Sequence, residues 1–226
     1  MRERGLITQR DELSLTGEKY TFLAKLGINR YPEDALLISL FSYENSAIAK
    51  LLDIWSQAPN PIICVVPLSK TLTSINAALN LHLHTGDDYT VCSLQLKVIP
   101  FLTQTDYDQL LWACDINFVR GEDSFVRAQW ASKPFVWHIY PQEKDTHLIK
   151  LNAFLDKYTD AMEPFLAAAI KELWMAWNTE EDCDKAWSQL LKYHQHWITH
   201  NQNWCKHLCF SPDLATNLVH FCQKYL

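Results

Sequence analysis

The feature that most restricts how this chain folds is a repeated change of period. Short, continuously apolar runs alternate with stretches whose apolar residues recur at helical spacing. Ala35-Leu36-Leu37-Ile38-Ser39-Leu40-Phe41 is short and rich in branched side chains, which predicts a strand covered on both faces. Residues 44–57 then place Ile48, Leu51, Leu52 and Trp55 on one helical face. Ile62-Ile63-Cys64-Val65-Val66 predicts a second buried strand, stopped by Pro67, and residues 70–80 predict a helix. Residues 89–99 alternate in part through Val91, Leu94, Leu96 and Val98, the pattern of one longer strand. A short helix over Asp106–Cys114, a strand over Asp115–Val119, a helix over Glu122–Ser132 and a strand over Phe135–Trp137 complete the series. The order βαβαβαβαβ predicts an α/β fold: a Rossmann-like, mostly parallel sheet with helices on both faces.

The flanks read differently. Residues 1–33 are polar apart from short apolar patches at Tyr20-Thr21-Phe22-Leu23 and predict a lead-in helix or linker closed by Pro32, with the main domain over 34–226. Beyond about residue 145 no segment reads as a strand. There Leu190, Leu191, His194 and Trp197 fit one helical stripe, so C-terminal helices packed on the sheet are expected over about 145–226.

Composition excludes several classes of function. The chain is 48% hydrophobic and 20% charged, values of a globular domain rather than a disordered one. A net charge of −6 without a Lys/Arg block disfavours a nucleic-acid partner, whereas a small phosphate-bearing ligand needs only a few local donors. Seven cysteines without framework spacing predict reduced thiols. No run approaches the ~20 apolar residues that span a bilayer, so no membrane association and a cytoplasmic location are expected. Five glycines leave no room for a GxGxxG fingerprint, a Walker A loop or a G-x-S-x-G elbow.

The first candidate site is Arg120-Gly121-Glu122-Asp123-Ser124, between a strand and a helix. Ligands of open α/β sheets gather at the carboxyl ends of strands, and a helix start there offers free N–H groups and a positive dipole end to an anion. Glu122 and Asp123 are equally ordinary residues of a first helical turn, and two carboxylates repel phosphate. The second candidate is Phe41-Ser42-Tyr43-Glu44-Asn45, where Tyr43 offers a hydroxyl and Ser42 or Asn45 a simple cap. The third is Pro100-Phe101-Leu102-Thr103-Gln104-Thr105-Asp106-Tyr107. Its aromatics beside an amide suit a nucleobase, but Thr105-x-x-Asp108 is also a helix start and Phe101 also suits a core. The C-terminal set of His194, His196, His200, Cys205, His207, Cys209, His220 and Cys222 has the composition of metal ligands without any established zinc spacing, and is read as lining helix contacts rather than a metal.

The string from Arg120 to Gln142, RGEDSFVRAQWASKPFVWHIYPQ, resembles the signature of the EarP family of protein-arginine rhamnosyltransferases, which modify elongation factor P. Ser39-Leu-Phe-Ser-Tyr-Glu-Asn45 and Pro100–Tyr107 resemble further motifs of that family, so the likeness covers most of residues 35–150. The resemblance implies the C-terminal, donor-binding half of a GT-B glycosyltransferase, with the N-terminal acceptor domain absent from this chain. It implies an inverting, metal-independent hexosyl transfer from dTDP-β-L-rhamnose to an arginine of elongation factor P. Carried over by position, Phe101, Gln104 and Tyr107 surround the thymine, with Tyr107 where the family commonly has Phe. Tyr43, Asp123 and Ser124 hold the diphosphate, Arg120 shapes or contacts that pocket, and Tyr140 sits near it. Glu122 is the essential acidic residue. The family's proposed general base has no counterpart here. A fragment that binds nucleotide sugar or a protein partner without turnover is therefore the alternative expectation.

Overall fold

The computed structural model describes residues 2–15, 17–210 and 214–225, with the side chains of 2–6, 14, 15, 214 and 225 excepted. Six strands form one sheet: β1 (Leu36–Leu40), β2 (Ile62–Pro67), β3 (Asp88–Val91), β4 (Leu94–Ile99), β5 (Ile116–Arg120) and β6 (Phe135–His138). Their order is β3-β4-β2-β1-β5-β6. Four of the five pairings are parallel, and β3 runs antiparallel along one edge. The α/β class and the mostly parallel sheet are as expected.

Both faces of β1 and β2 are covered, which is why these strands are apolar apart from buried Ser39, whose hydroxyl donates to Asn117 Oδ1 at 2.6 Å. Ile38, Leu40, Ile62, Cys64 and Val66 join the large core, while Leu37, Ile63 and Val65 join a smaller one on the other face. The large core takes in α3 (Ala47–Ser56), through Ile48, Leu51, Leu52 and Trp55. The smaller core takes in Phe22 and Leu23 of α2 (Glu18–Lys25), and Leu110 and Ala113 of α5 (Gln104–Ala113). The remaining crossover helices are α4 (Lys70–Leu79) and α6 (Asp123–Ala131).

Three expectations are corrected. Residues 89–99 are a hairpin, not one strand: Val91 pairs with Leu94 across Cys92-Ser93, and Cys92 adopts φ 48°. That turn uses neither Gly nor Asn, so it carries no sequence signal. Helix α5 begins at Gln104 and is capped by Thr103, whose Oγ1 accepts from the Asp106 amide at 3.2 Å; Thr105-x-x-Asp108 is not the cap. The stripe through Leu190, Leu191, His194 and Trp197 is split between α9 (Asp184–Lys192) and α10 (His194–Phe210), because the chain turns at Tyr193. The lead-in segment also folds, as α1 (Arg2–Leu15) and α2, both against α5.

The C-terminal helices explain the abundance of tryptophan. Trp174 and Trp177 of α8 (Pro164–Asn178) lie 5.2 Å from the Phe135 ring and 4.9 Å from the Phe118 ring. Trp187 of α9 lies 5.4 Å from Trp55. Helix α7 (Thr146–Thr159) adds Phe154 and Tyr158, and α11 (Leu214–Tyr225) ends the described chain. No helix among the described residues is long and apolar enough to cross a membrane.

Candidate functional site

The topology points to one place. From β1 the sheet extends through β2 and β4 on one side and through β5 and β6 on the other. The connections therefore diverge between β1 and β5, and such a switch point opens a crevice at the carboxyl ends of the two strands. The Phe41 amide donates to the Phe118 carbonyl at 3.1 Å, so the segment leaving β1 stays beside the end of β5. A cleft of about 460 Å³ opens there, lined by the segments after β1, β4 and β5 and the first turn of α6. That volume lies in the range of small-molecule sites.

Its floor is aromatic and cationic. The Arg120 guanidinium lies 4.4 Å from the centre of the Phe41 ring and 5.0 Å from that of Tyr43. Such contacts fix the cation without neutralising it. Among the described residues Arg120 has no carboxylate partner; its one hydrogen bond is a 3.5 Å donation to the Ser42 carbonyl. Tyr43 meets the rings of His138 and Tyr140 edge-on at 5.3 and 5.5 Å. Partial burial raises the Tyr43 hydroxyl above its ordinary range, so it stays protonated and able to donate.

Gly121 makes the turn out of β5 at φ 64°, its amide donating to the His138 carbonyl at 3.1 Å and its own carbonyl accepting from Trp137 Nε1 at 2.6 Å. The first intrahelical bond of α6 runs from the Val126 amide to the Glu122 carbonyl. Helix geometry leaves the preceding amides without intrahelical partners, and the Glu122 side chain does not cap them. It turns to Lys150 of α7 instead, with Nζ to Oε1 2.7 Å, and that contact holds its pKa below the usual carboxylate value. Asp123 is engaged by Arg127 Nε at 2.8 Å, and Arg127 also donates to buried Asp108 of α5 at 2.6 Å. The opposite wall is Phe101, Leu102, Gln104 and Tyr107. Phe101 is 71% exposed, so it is not a core residue. Tyr107 packs 5.5 Å from Phe41, and burial keeps its hydroxyl, beside Ser124, protonated.

The EarP family, described as elongation-factor P (EF-P) rhamnosyltransferase EarP, matches this chain over residues 1–223. The chain belongs to that family. It is 41% identical over 228 residues to a protein-arginine rhamnosyltransferase of Pseudomonas aeruginosa, and 42% identical over 231 residues to one of Pseudomonas putida. All of this chain is covered in both cases, but it spans about 60% of the length of each relative. A solved structure described as "Structural basis for EarP-mediated arginine glycosylation of translation elongation factor EF-P" superimposes with a TM-score of 0.88 at 40% identity, covering 98% of this chain and 71% of the other.

Of the residues singled out in the sequence, Tyr43, Phe101, Gln104, Tyr107, Arg120, Glu122, Asp123 and Ser124 all line the one cleft. Tyr140 does not line it; it stands exposed at the rim, touching Tyr43. Asn45 does cap: its Oδ1 accepts from the Ala47 amide at 2.8 Å. Cys205 and Cys209 are free thiols, and the described residues bring no three His, Cys, Asp or Glu side chains together as metal ligands. Sequence reasoning missed Lys150 and Arg127, which pair with the carboxylates of the site, and Asp108, which anchors Arg127. Only the Asp123–Arg127 spacing of i,i+4 offered a local signal.

Proposed function

We propose that this chain is the donor-binding half of an inverting protein-arginine rhamnosyltransferase. It would hold dTDP-β-L-rhamnose for transfer to an arginine of elongation factor P. The observation that carries the reading is the pairing, in one cleft, of an aromatic and amide wall with an uncapped helix start and a cation that has no carboxylate partner among the described residues. A nucleoside diphosphate has those two halves: a flat base and a charged pyrophosphate.

In this reading Phe101 and Tyr107 take the faces of the thymine, and the Gln104 amide reads its edge. The pyrophosphate lies over the first turn of α6, receiving the amides of Asp123 and Ser124, the Ser124 and Tyr43 hydroxyls, and Arg120. Negative charge grows on the departing diphosphate as the glycosidic bond breaks. Donors already aimed at it lower the barrier without reorganising at that moment. They meet the charge with protein groups alone, so no divalent metal is expected.

Glu122 stands ionised at the mouth of the cleft, where it can accept from a sugar hydroxyl or from the incoming guanidinium. That guanidinium must lose a proton to attack, since arginine is almost always protonated. Both carboxylates lining the cleft are ion-paired, so the proton acceptor belongs to the acceptor side of the enzyme. A reading as a binding module rests on the same point. Mass spectrometry of elongation factor P incubated with the chain and dTDP-β-L-rhamnose separates the two. One added deoxyhexose on arginine supports the transferase, and donor binding without any added mass supports the binding module.

A further inference from the structure

The first turn of α6 poses an electrostatic problem. An anion site at a helix start gains from a positive dipole end, yet this one begins with two adjacent carboxylates, Glu122 and Asp123. Each is met by a cation, one from the same helix and one from α7. Asp123 is held by Arg127, which is anchored below by buried Asp108. Glu122 is held by Lys150, 28 residues further along the chain at the start of α7. The Lys150 ammonium also stands 5.8 Å from the centre of the Trp137 ring, whose Nε1 holds the Gly121 carbonyl. Lys150 is thus tied both to the carboxylate and to the turn that presents it.

We infer that Lys150 is a positioning residue for the diphosphate: it draws the Glu122 carboxylate off the α6 terminus and cancels its charge, leaving the first-turn amides to the ligand. This rests on the donor-site reading above. Lys150 is not itself among the residues lining the cleft, so its effect passes through Glu122. Without it, the dipole would pull the Glu122 carboxylate over its own helix start, where it would compete with phosphate oxygens for the same amides.

The test is calorimetric titration of the full chain with dTDP and, separately, with thymidine, which lacks the phosphates. In Lys150→Met, dTDP affinity should fall about fivefold, the size expected for an uncompensated charge at a helix terminus, while thymidine affinity stays unchanged. Lys150→Arg should bind dTDP as the parent chain does. Adding Glu122→Gln to Lys150→Met should restore the lost affinity, because a neutral amide has no charge to cancel. Undiminished dTDP binding by Lys150→Met overturns the inference. So does equal weakening of both ligands, the mark of a purely structural contact. Failure of Glu122→Gln to restore binding would make Lys150 a direct phosphate contact and overturn it too. If the parent chain binds thymidine but not dTDP, the donor-site reading fails first and takes this inference with it.

Discussion

A β-carbon on Gly121 would lie 3.0 Å from the Tyr43 hydroxyl oxygen, closer than side-chain carbons normally approach. The residue that turns the chain out of β5 therefore also makes room for the hydroxyl at the end of β1. The two sides of the crevice are shaped together.

Gly121→Ala tests that coupling. The φ of 64° costs a non-glycine residue about 1–2 kcal/mol, and the added methyl pushes Tyr43 from its place. Urea unfolding should show a loss of that size. Calorimetry should show a fall in dTDP affinity larger than that caused by Tyr43→Phe, because the first-turn amides move as well.

Phe101 separates function from stability. A side chain that is 71% exposed contributes little to folding, so Phe101→Ala should leave the unfolding midpoint almost unchanged. Loss of a base-stacking face costs about 1–3 kcal/mol of binding, about a five- to 150-fold fall in nucleotide affinity. An unchanged affinity would show that the base lies elsewhere.

Much of this site was legible because it is local. Alternation of buried strands with helical spacing identified β1, β2, β5 and β6, and the loops after β1, β4 and β5 followed from strand direction. The electrostatic balance was not legible. Glu122 and Lys150 are 28 positions apart, and Asp108 and Arg127 are 19 apart, so only the packing of α7 and α5 beside α6 brings them together. The β3–β4 hairpin was hidden for a different reason: Cys92 takes a left-handed conformation that its residue type does not advertise.

Acid should destabilise the fold partly through His138. Its imidazole is 3% exposed, and burial lowers its pKa from 6.5 to about 4. Between those values the unfolded chain binds a proton that the folded chain refuses, so stability falls as pH drops from about 6.5 towards 4 and is indifferent above. The full window is worth at most about 3 kcal/mol for this one group. His138→Asn should flatten the acid limb of unfolding free energy against pH without removing it, since burial lowers His200 to about 4 as well. An unchanged slope would show that His138 titrates normally in the folded chain.

The central claim is that the first-turn amides of α6, together with Arg120, receive a pyrophosphate. Calorimetric titration of the chain with dTDP-β-L-rhamnose, in the presence of a chelator, tests it most directly. The account predicts saturable heat without divalent metal, lost on Arg120→Met, whereas thymidine, which lacks the phosphates, binds more weakly than the donor and is unaffected by Arg120→Met. No heat at millimolar donor, or heat that survives Arg120→Met unchanged, would contradict it.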